Sequence, residues 1–273
     1  MKLVTYRTPG SPAPAVGILT DAGVLPTGHQ DLIDVIRTGT LPEPTGGPVP
    51  DARLLAPVPR PGKLLFCGVN YGSHKDENPA AVFPDEPFFF SKLPSSVIGP
   101  DEPIRIPAPH SQVDYEVELA VVIGREARGI SLADALDHVF GYTVVNDVSG
   151  RDVQFKDNQI TLGKGFDTFS PMGPCVLTAD EVPDPAGLYV ASHVNGEPRQ
   201  GEPTANMRSS VAELLEFVSR HITLEPGDIV TTGTPAGVGT FRNPPVYLAP
   251  GDTVSVEVDA IGRLTNPVVA GWS

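Results

Sequence analysis

Apolar residues in this chain come in short runs that proline and glycine interrupt. Such runs predict short strands joined by turns, with few long helices. Three predicted strands open the chain, and a short helix over residues 31–37 follows them. The best-defined helix covers residues 211–220, where apolar positions recur at helical spacing and Ser210 and Glu213 have the spacing of a capping box. Near the C-terminus, alternate valines over residues 254–258 predict a half-buried strand.

Proline-rich sequence over residues 38–62 separates the first elements from the rest of the chain. Domain boundaries fall in stretches of this kind. We therefore expect a small β-rich N-terminal domain with its linker at residues 1–60 and a main domain at residues 61–273. Strands outnumber helices throughout, which predicts an α+β fold that is mostly β, built as a sandwich or roll.

The main domain contains three predicted apolar strands, over residues 63–69, 113–124 and 142–148. A short helix is predicted over residues 132–139. A loop rich in proline, aspartate and glutamate occupies residues 73–109, which is long for a compact domain, and an aromatic segment over residues 87–92 interrupts it. Loops of that length are usually functional, so we expect this one to border a site.

The charge of the chain excludes several classes of partner. There are 33 acidic and 19 basic residues among 273, for a formal charge of -14. Nucleic acids and anionic lipids require a basic face, so neither is an expected partner. No apolar run approaches the roughly 20 residues of a membrane span, and the first residues lack the apolar core of a signal peptide. We expect a soluble, cytoplasmic protein, with Cys67 and Cys175 reduced in its core.

Three acidic residues alternate at the start of one predicted strand: Asp114, Glu116 and Glu118. Alternate residues of a strand share a face. Because the strand continues into apolar sequence, these carboxylates would repel one another unless protons or a cation neutralised them. A hard divalent ion with oxygen ligands is one solution. A strand edge that faces water is the other interpretation of this segment taken alone.

Asp147 follows the next apolar strand, and Arg151 and Gln154 come shortly after it. If a helix begins near residue 149, these two side chains share a face. A carboxylate at a strand end with cationic and amide groups beyond it is typical of the rim of a site. An aspartate cap with an ion pair would give the same pattern.

Two weaker features carry further candidate chemistry. Lys164 lies between glycines, which let the backbone approach a ligand but also form ordinary turns. His74 and Glu77 have the spacing of an imidazole–carboxylate dyad, although most such pairs are surface charges. The glycine-rich loop over residues 231–239 lacks the lysine of a phosphate-binding loop, so we do not predict a nucleotide.

Taken in order, seven short segments closely resemble the fumarylacetoacetate hydrolase family over about residues 62–273. The segments are Gly68-Val69-Asn70-Tyr71-x-x-His74-x-x-Glu77, Phe90-x-Lys92, Asp114-Tyr115-Glu116-x-Glu118-Leu119, Asn146-Asp147-Val148-Ser149-x-Arg151-Asp152-x-Gln154, Gly163-Lys164-x-Phe166-Asp167, Val194-Asn195-Gly196-Glu197 and Gly233-Thr234-Pro235-Ala236-Gly237-Val238-Gly239. The N-terminal region is similar to the small domain that many bacterial members carry.

The resemblance implies a mixed β-sandwich roll, a homodimer, and a site for Mg²⁺ or Mn²⁺ that acts on 2-oxo acids. It also implies the role of each site residue. The metal ligands would be Glu116, Glu118 and Asp147, and the catalytic residues would be His74, Glu77 and Lys164. The substrate would be bound by Lys92, Arg151, Gln154 and Thr234.

The resemblance leaves the reaction open. Our first expectation is hydrolysis of a C–C bond in a 2,4-diketo acid of the acylpyruvate or fumarylpyruvate type, with His74 and Glu77 activating water. The alternative on the same scaffold is decarboxylation of oxaloacetate, or isomerisation of a 2-hydroxyhepta-2,4-diene-1,7-dioate. A member that binds metal without catalysis is a third interpretation, although every matched polar position is present.

Overall fold

The computed structural model describes residues 1–78, 82–156 and 159–272. This part of the chain forms a fold that is mostly β, as the sequence predicts. Its strands are β1 Lys2–Thr8, β2 Ser11–Thr20, β3 Gly23–Pro26, β4 Arg53–Leu54, β5 Leu64–Gly68, β6 Phe88–Ser91, β7 Val97–Ile98, β8 Ile104–Ile106, β9 Val113–Asp114, β10 Val117–Ile123, β11 Val139–Asn146, β12 Ser149–Gly150, β13 Ser170–Thr178, β14 Tyr189–Val194, β15 Glu197–Pro203, β16 Ile229–Thr231, β17 Thr253–Val258 and β18 Gly262–Ala270.

The helices are short, with one exception near the C-terminal third of the chain. They are α1 Leu32–Thr38, α2 Gly72–Glu77, α3 Arg151–Gln154, α4 Ile160–Lys164 and α5 Val211–His221. None of the helices in the described residues is long and apolar enough to cross a bilayer.

Two sheets pack face to face to form a sandwich. The large sheet has the order β3-β2-β1-β13-β11-β10-β16-β5-β6, and the smaller one has the order β15-β14-β17-β18-β8. Buried residues of β10 and β11 share one apolar cluster with Val190, Val256 and Leu264 of the smaller sheet. Burial of each such side chain contributes about 1.5–3 kcal/mol.

The strand β10 is buried on both faces. Leu119 and Val121 face the smaller sheet, whereas Ala120 and Val122 belong to a second cluster with residues of α1. A strand that is covered on both sides is apolar without alternation, which explains the continuous apolar run from residue 119 to 123. Polar groups at the start of this strand therefore lie close to the core.

The first three strands extend the large sheet rather than forming one of their own. Lys2 and Leu3 of β1 pair with Leu177 and Val176 of β13, and β2 and β3 follow outward from β1. The division into residues 1–60 and 61–273 stays a prediction, although the N-terminal strands and the main sheet are continuous in hydrogen bonding.

Several predicted elements are confirmed. Helix α5 begins at the predicted capping box, in which Ser210 accepts from the backbone N–H of Glu213 and the Glu213 carboxylate accepts from the N–H of Ser210. Helix α1 begins after its cap, Asp31, and buries the predicted apolar side. Both helices end within two residues of the predicted position.

Three predictions differ from the structure. The strand predicted over residues 113–124 is interrupted at Tyr115 and Glu116, where the Asp114 carboxylate accepts the N–H of Tyr115. The helix predicted over residues 132–139 is reduced to a single 3-10 turn, Ala135–His138. The segment predicted as a loop over residues 73–109 contains most of α2 and three short strands; residues 79–81 of it lie outside the described residues.

Candidate active site

Three buried carboxylates meet where β10 begins and β11 ends. Glu116 directly precedes β10, Glu118 lies within it, and Asp147 directly follows β11. The two strands are antiparallel, with Val117 opposite Asn146, so the start of one lies beside the end of the other. Oxygen atoms of the three carboxylates lie within 4.8 Å of one another.

Two of the cations that contact this acidic cluster, Lys164 and Arg151, also line the cleft described below. The Lys164 ammonium donates to Glu116 Oε2 at 2.9 Å and to Asp147 Oδ2 at 2.6 Å. Arg151 Nη2 donates to Glu116 Oε1 at 2.5 Å. Helices α3 and α4 place both side chains, since Arg151 begins α3 and Lys164 ends α4. Glu118 instead accepts the backbone N–H of Gly233 at 2.9 Å.

The pKa values of the two glutamates move in opposite directions. Burial raises the pKa of Glu116, but the charges of Lys164 and Arg151 outweigh burial and bring that pKa below its usual range. Burial raises the pKa of Glu118 well above its ordinary value, and the charges of Asp147 and Glu116 raise it further. Glu118 is therefore the carboxylate whose negative charge is least compensated.

This donor set suits a divalent cation. Hard ions such as Mg²⁺ bind carboxylate oxygens, and three converging carboxylates leave further coordination positions for a substrate. Within the described residues, four buried carboxylates and three buried cations form the cluster, so one negative charge is in excess: Asp114, Glu116, Glu118 and Asp147 against Lys92, Arg151 and Lys164. A bound divalent ion would reverse that sign and leave the site ready for an anion.

A cleft of about 130 Å³ opens above the carboxylates. Glu116, Glu118, Arg151 and Lys164 line its floor. The apolar part of its wall comes from the described residues Cys67, Val69, Phe88, Phe90, Phe155, Ile160 and Phe241. A small, mostly apolar cleft with a few convergent polar groups has the features of a substrate site.

His74 and Glu77 approach this cleft from helix α2. His74 lines the cleft, and its Nδ1 lies 2.7 Å from Glu77 Oε1. The second oxygen of Glu77 accepts the N–H of Gly237 at 2.8 Å, so the same carboxylate joins α2 to the glycine-rich loop. A carboxylate only accepts hydrogen bonds; Nδ1 therefore carries the proton, and the other ring nitrogen is left for proton transfer.

Thr234 and Gln154 also line the cleft. Gln154 accepts from Arg151 Nη1 at 2.9 Å, as the predicted helical spacing requires. Thr234 Oγ1 accepts from Gln200 Nε2 at 2.7 Å. The orientation of the Gln200 amide is fixed, because its oxygen accepts the N–H of Val117 and its nitrogen donates to the carbonyl of Pro235. The Thr234 hydroxyl hydrogen is thus free to donate elsewhere.

Lys92 lies beneath the cleft and does not line it. Its ammonium donates to Asp147 Oδ1 at 2.7 Å and to the carbonyls of Val148 and Phe169. Burial lowers the pKa of Lys92 to about 8, although Asp147 opposes that shift. All three N–H groups are used in these bonds, so the ammonium of Lys92 holds Asp147 in place, and the predicted contact of Lys92 with a substrate stays a prediction.

No sequence pattern indicates a role for Gln200. It lies on β15 among mostly polar, exposed positions, and only tertiary packing buries its side chain. The sequence does single out Asp114, but strand alternation groups it with Glu116 and Glu118 on one face. In the structure its carboxylate points to Arg151 and to the loop at Gly239 instead.

Comparison with known proteins shows what this chain is similar to. Residues 63–269 match the family model described as fumarylacetoacetate (FAA) hydrolase C-terminal. A mitochondrial oxaloacetate tautomerase of Xenopus laevis is 41% identical, over 98% of this chain and 90% of the relative.

Two solved structures share the fold at similar identity. A fumarylacetoacetate hydrolase from psychrophilic Exiguobacterium antarcticum is 39% identical with a TM-score of 0.89, covering 99% of both chains. A 2-hydroxyhepta-2,4-diene-1,7-dioate isomerase from Mycobacterium marinum is 39% identical with a TM-score of 0.82, covering 99% of this chain and 98% of the other. These relatives are named for three different reactions.

Proposed function

The chain belongs to the fumarylacetoacetate hydrolase family, and from that premise we propose that it interconverts the keto and enol forms of a small 2-oxo acid of the oxaloacetate type, with a bound divalent metal ion. The observation that carries this proposal is the convergence of three buried carboxylates and the His74–Glu77 pair on one cleft. The expectation of C–C hydrolysis now takes second place, because the frog relative is named a tautomerase.

The metal ligands in this proposal are Glu116, Glu118 and Asp147. When bound, the ion would polarise the keto oxygen of a 2-oxo acid and acidify the neighbouring carbon. Lys92 holds Asp147 from below, and Lys164 spans Glu116 and Asp147 from the side of the cleft. The ligand oxygens are thereby oriented before any ion binds.

Lys164 and Arg151 supply local positive charge for an anionic substrate. Burial lowers the pKa of Lys164, but Asp147 and Glu116 raise it by more, so the ammonium stays charged. Two of its three N–H groups go to those carboxylates, which leaves the third for a substrate oxygen. His74 is then the group suited to move the proton between carbon and oxygen, since Glu77 holds its Nδ1.

The size of the cleft favours a short substrate. Its volume of about 130 Å³ lies below the roughly 300–1,000 Å³ that is usual for drug-sized ligands. A four-carbon acid suits this space better than a seven-carbon dioate. We therefore place the oxaloacetate type ahead of the dioate type.

Hydrolysis of a C–C bond is the second candidate. The Exiguobacterium protein is named a hydrolase, and the imidazole that moves a proton in tautomerisation could equally take one from water. The two reactions differ in their products. Tautomerisation conserves the carbon skeleton, whereas hydrolysis yields two acids.

A panel of 2-oxo acids distinguishes these reactions. Purified protein with Mg²⁺ or Mn²⁺ is mixed with freshly dissolved enol oxaloacetate, acylpyruvates and fumarylpyruvate, while enol absorbance, released CO₂ and product acids are measured. We expect loss of the enol signal without CO₂ or cleavage products. Two product acids from a diketo acid, with no acceleration of the enol decay, would favour hydrolysis. CO₂ release would instead indicate decarboxylation.

Replacing Lys164 by methionine tests the substrate-binding role. We expect kcat/KM to fall by about 10²–10³-fold, the usual effect of removing one donor to developing negative charge. Metal affinity should hold or rise, because Glu116 and Asp147 lose a competing cation. Lys63→Met is the matched control, since Lys63 also bridges two carboxylates, Glu225 and Asp228, away from the cleft. Equal activity in Lys164→Met and wild type would exclude the role.

The homodimer and the cytoplasmic location expected from the sequence stay part of this proposal. Light scattering on the purified protein would measure the first directly, with a mass of twice 28.8 kDa expected.

A further inference from the structure

The carboxylate of Asp114 is fully buried and is not aimed at the cleft. Its Oδ2 accepts from Arg151 Nε at 3.0 Å and from Arg151 Nη2 at 2.9 Å. The same oxygen accepts the N–H of Thr240 at 3.0 Å, and Oδ1 accepts the N–H groups of Tyr115 and Gly239 at 2.9 and 2.7 Å. Five donors on one carboxylate hold it in a single orientation.

Because Asp114 accepts from both Nε and Nη2, it fixes the orientation of the Arg151 guanidinium. Its Nη2 is shared between Asp114 and Glu116, and Nη1 donates to Gln154. A guanidinium has five N–H groups. Within the described residues, one N–H of Nη1 is left without an acceptor, and Arg151 lines the cleft. Asp114 therefore determines which single donor Arg151 presents to a ligand.

Asp114 also affects how strongly Arg151 neutralises a candidate metal ligand. With both carboxylates present, the guanidinium divides its charge between Asp114 and Glu116. Without a charged Asp114, Glu116 would become its sole anionic partner. That stronger pairing would oppose binding of a metal ion to the Glu116 oxygens.

We infer that Asp114 is a positioning residue, which holds Arg151 so that the guanidinium offers one N–H to the substrate and leaves Glu116 available to a metal ion. The inference rests on the proposed function, in its substrate for one half and in its metal ligands for the other. Its metal half concerns a binding equilibrium that needs no turnover.

The experiment is a double-mutant cycle of Asp114→Asn and Arg151→Gln. Affinity for Mn²⁺ is measured by calorimetry in the absence of substrate, and KM and kcat are measured separately with enol oxaloacetate. An asparagine retains the shape but faces donors with its own NH₂ group. We expect Asp114→Asn to weaken Mn²⁺ binding and to raise KM by about 10- to 100-fold each, which is the usual effect of removing a residue that supports a metal ligand. The effect on kcat should be smaller.

In the Arg151→Gln background, both effects of Asp114→Asn should shrink, because the residue through which Asp114 acts is gone. Equal losses in both backgrounds would overturn the inference, as would wild-type Mn²⁺ affinity and KM in Asp114→Asn. Failure of the wild type to bind Mn²⁺ would overturn the proposed function and this inference together. The two failures are thus distinguishable.

Two further variants separate positioning from folding. Asp228→Asn is the matched control, since Asp228 is another buried carboxylate that accepts backbone N–H groups, at Lys63 and Glu225, away from the cleft. It should lower stability and leave Mn²⁺ affinity unchanged; a comparable loss of affinity there would overturn the inference. If Asp114→Asn does not fold, Asp114→Glu keeps the charge and the acceptors but moves them by one methylene. A raised KM in Asp114→Glu is expected, and an unchanged one would overturn the inference.

Discussion

Glu118→Gln should lose divalent metal binding and most activity while making the metal-free protein more stable. The substitution keeps an oxygen that can accept the N–H of Gly233, but it removes the least compensated charge of the three carboxylates. Repulsion between buried like charges is relieved, so the metal-free variant should unfold at a higher temperature than the wild type. Removing a residue that only hydrogen-bonds to a metal ligand usually lowers metal affinity by roughly 10- to 100-fold. Because Glu118 is itself a proposed ligand, we expect a larger loss of Mn²⁺ affinity.

Thermal unfolding with and without Mn²⁺ measures both effects at once. A ligand that binds only the folded state raises the unfolding temperature, so we expect Mn²⁺ to stabilise the wild type strongly and Glu118→Gln little. Asp228→Asn serves as the buried-carboxylate control and should respond to Mn²⁺ as the wild type does. If Mn²⁺ stabilised Glu118→Gln as much as the wild type, Glu118 would not be a ligand.

The carboxylate site could be predicted because local sequence rules place it. Residues two apart on a strand share a face, which predicts that Glu116 and Glu118 lie together. The structure keeps them together, although Glu116 directly precedes β10. Asp147 lies at the end of the neighbouring strand, and antiparallel pairing of β10 with β11 closes the distance. The apolar run after Glu118 also indicated burial correctly, because β10 is covered on both faces.

Contacts between distant segments could not be predicted in this way. Lys92 is 55 residues from Asp147 in the sequence. Only the three-dimensional packing shows that the Lys92 ammonium donates to Asp147 beneath the cleft. Gln200 is 34 residues from the Thr234 hydroxyl that it orients. Asp114 departs from the face of Glu116 and Glu118 because the strand breaks between β9 and β10, which alternation alone does not reveal.

These contacts between residues far apart in the sequence all hold polar groups in place inside the low-dielectric interior. A buried charge is tolerated only when it is paired and hydrogen-bonded. Lys92, Arg151 and Lys164 meet that condition through the carboxylates. Glu118 lacks an ion-pair partner among the described residues, although its carboxylate accepts the backbone N–H of Gly233. The remaining imbalance is what a metal ion would remove.

His74→Ala should reduce the tautomerisation rate by about 10²–10⁴-fold, the usual contribution of a general acid or base. Mn²⁺ affinity should change little, because the imidazole makes no hydrogen bond to the described carboxylates of the cluster. Stopped-flow decay of enol oxaloacetate, compared with calorimetric Mn²⁺ binding, separates the two. A variant that retained the full rate would exclude His74 from proton transfer.

The hydrogen bonds of Glu77 lead to a second prediction, which compares two substitutions at this position. Its two oxygens accept from different donors, His74 Nδ1 and the N–H of Gly237. In Glu77→Gln the single amide oxygen must serve Gly237, so the amide nitrogen would face Nδ1 and drive the histidine proton to its other nitrogen. A wrong histidine tautomer costs about 10⁴-fold in a serine protease triad. Glu77→Gln should therefore be slower than Glu77→Ala, which leaves the tautomer free. If the glutamine variant were instead the more active of the two, Glu77 would serve to attach α2 to the loop rather than to set the tautomer of His74.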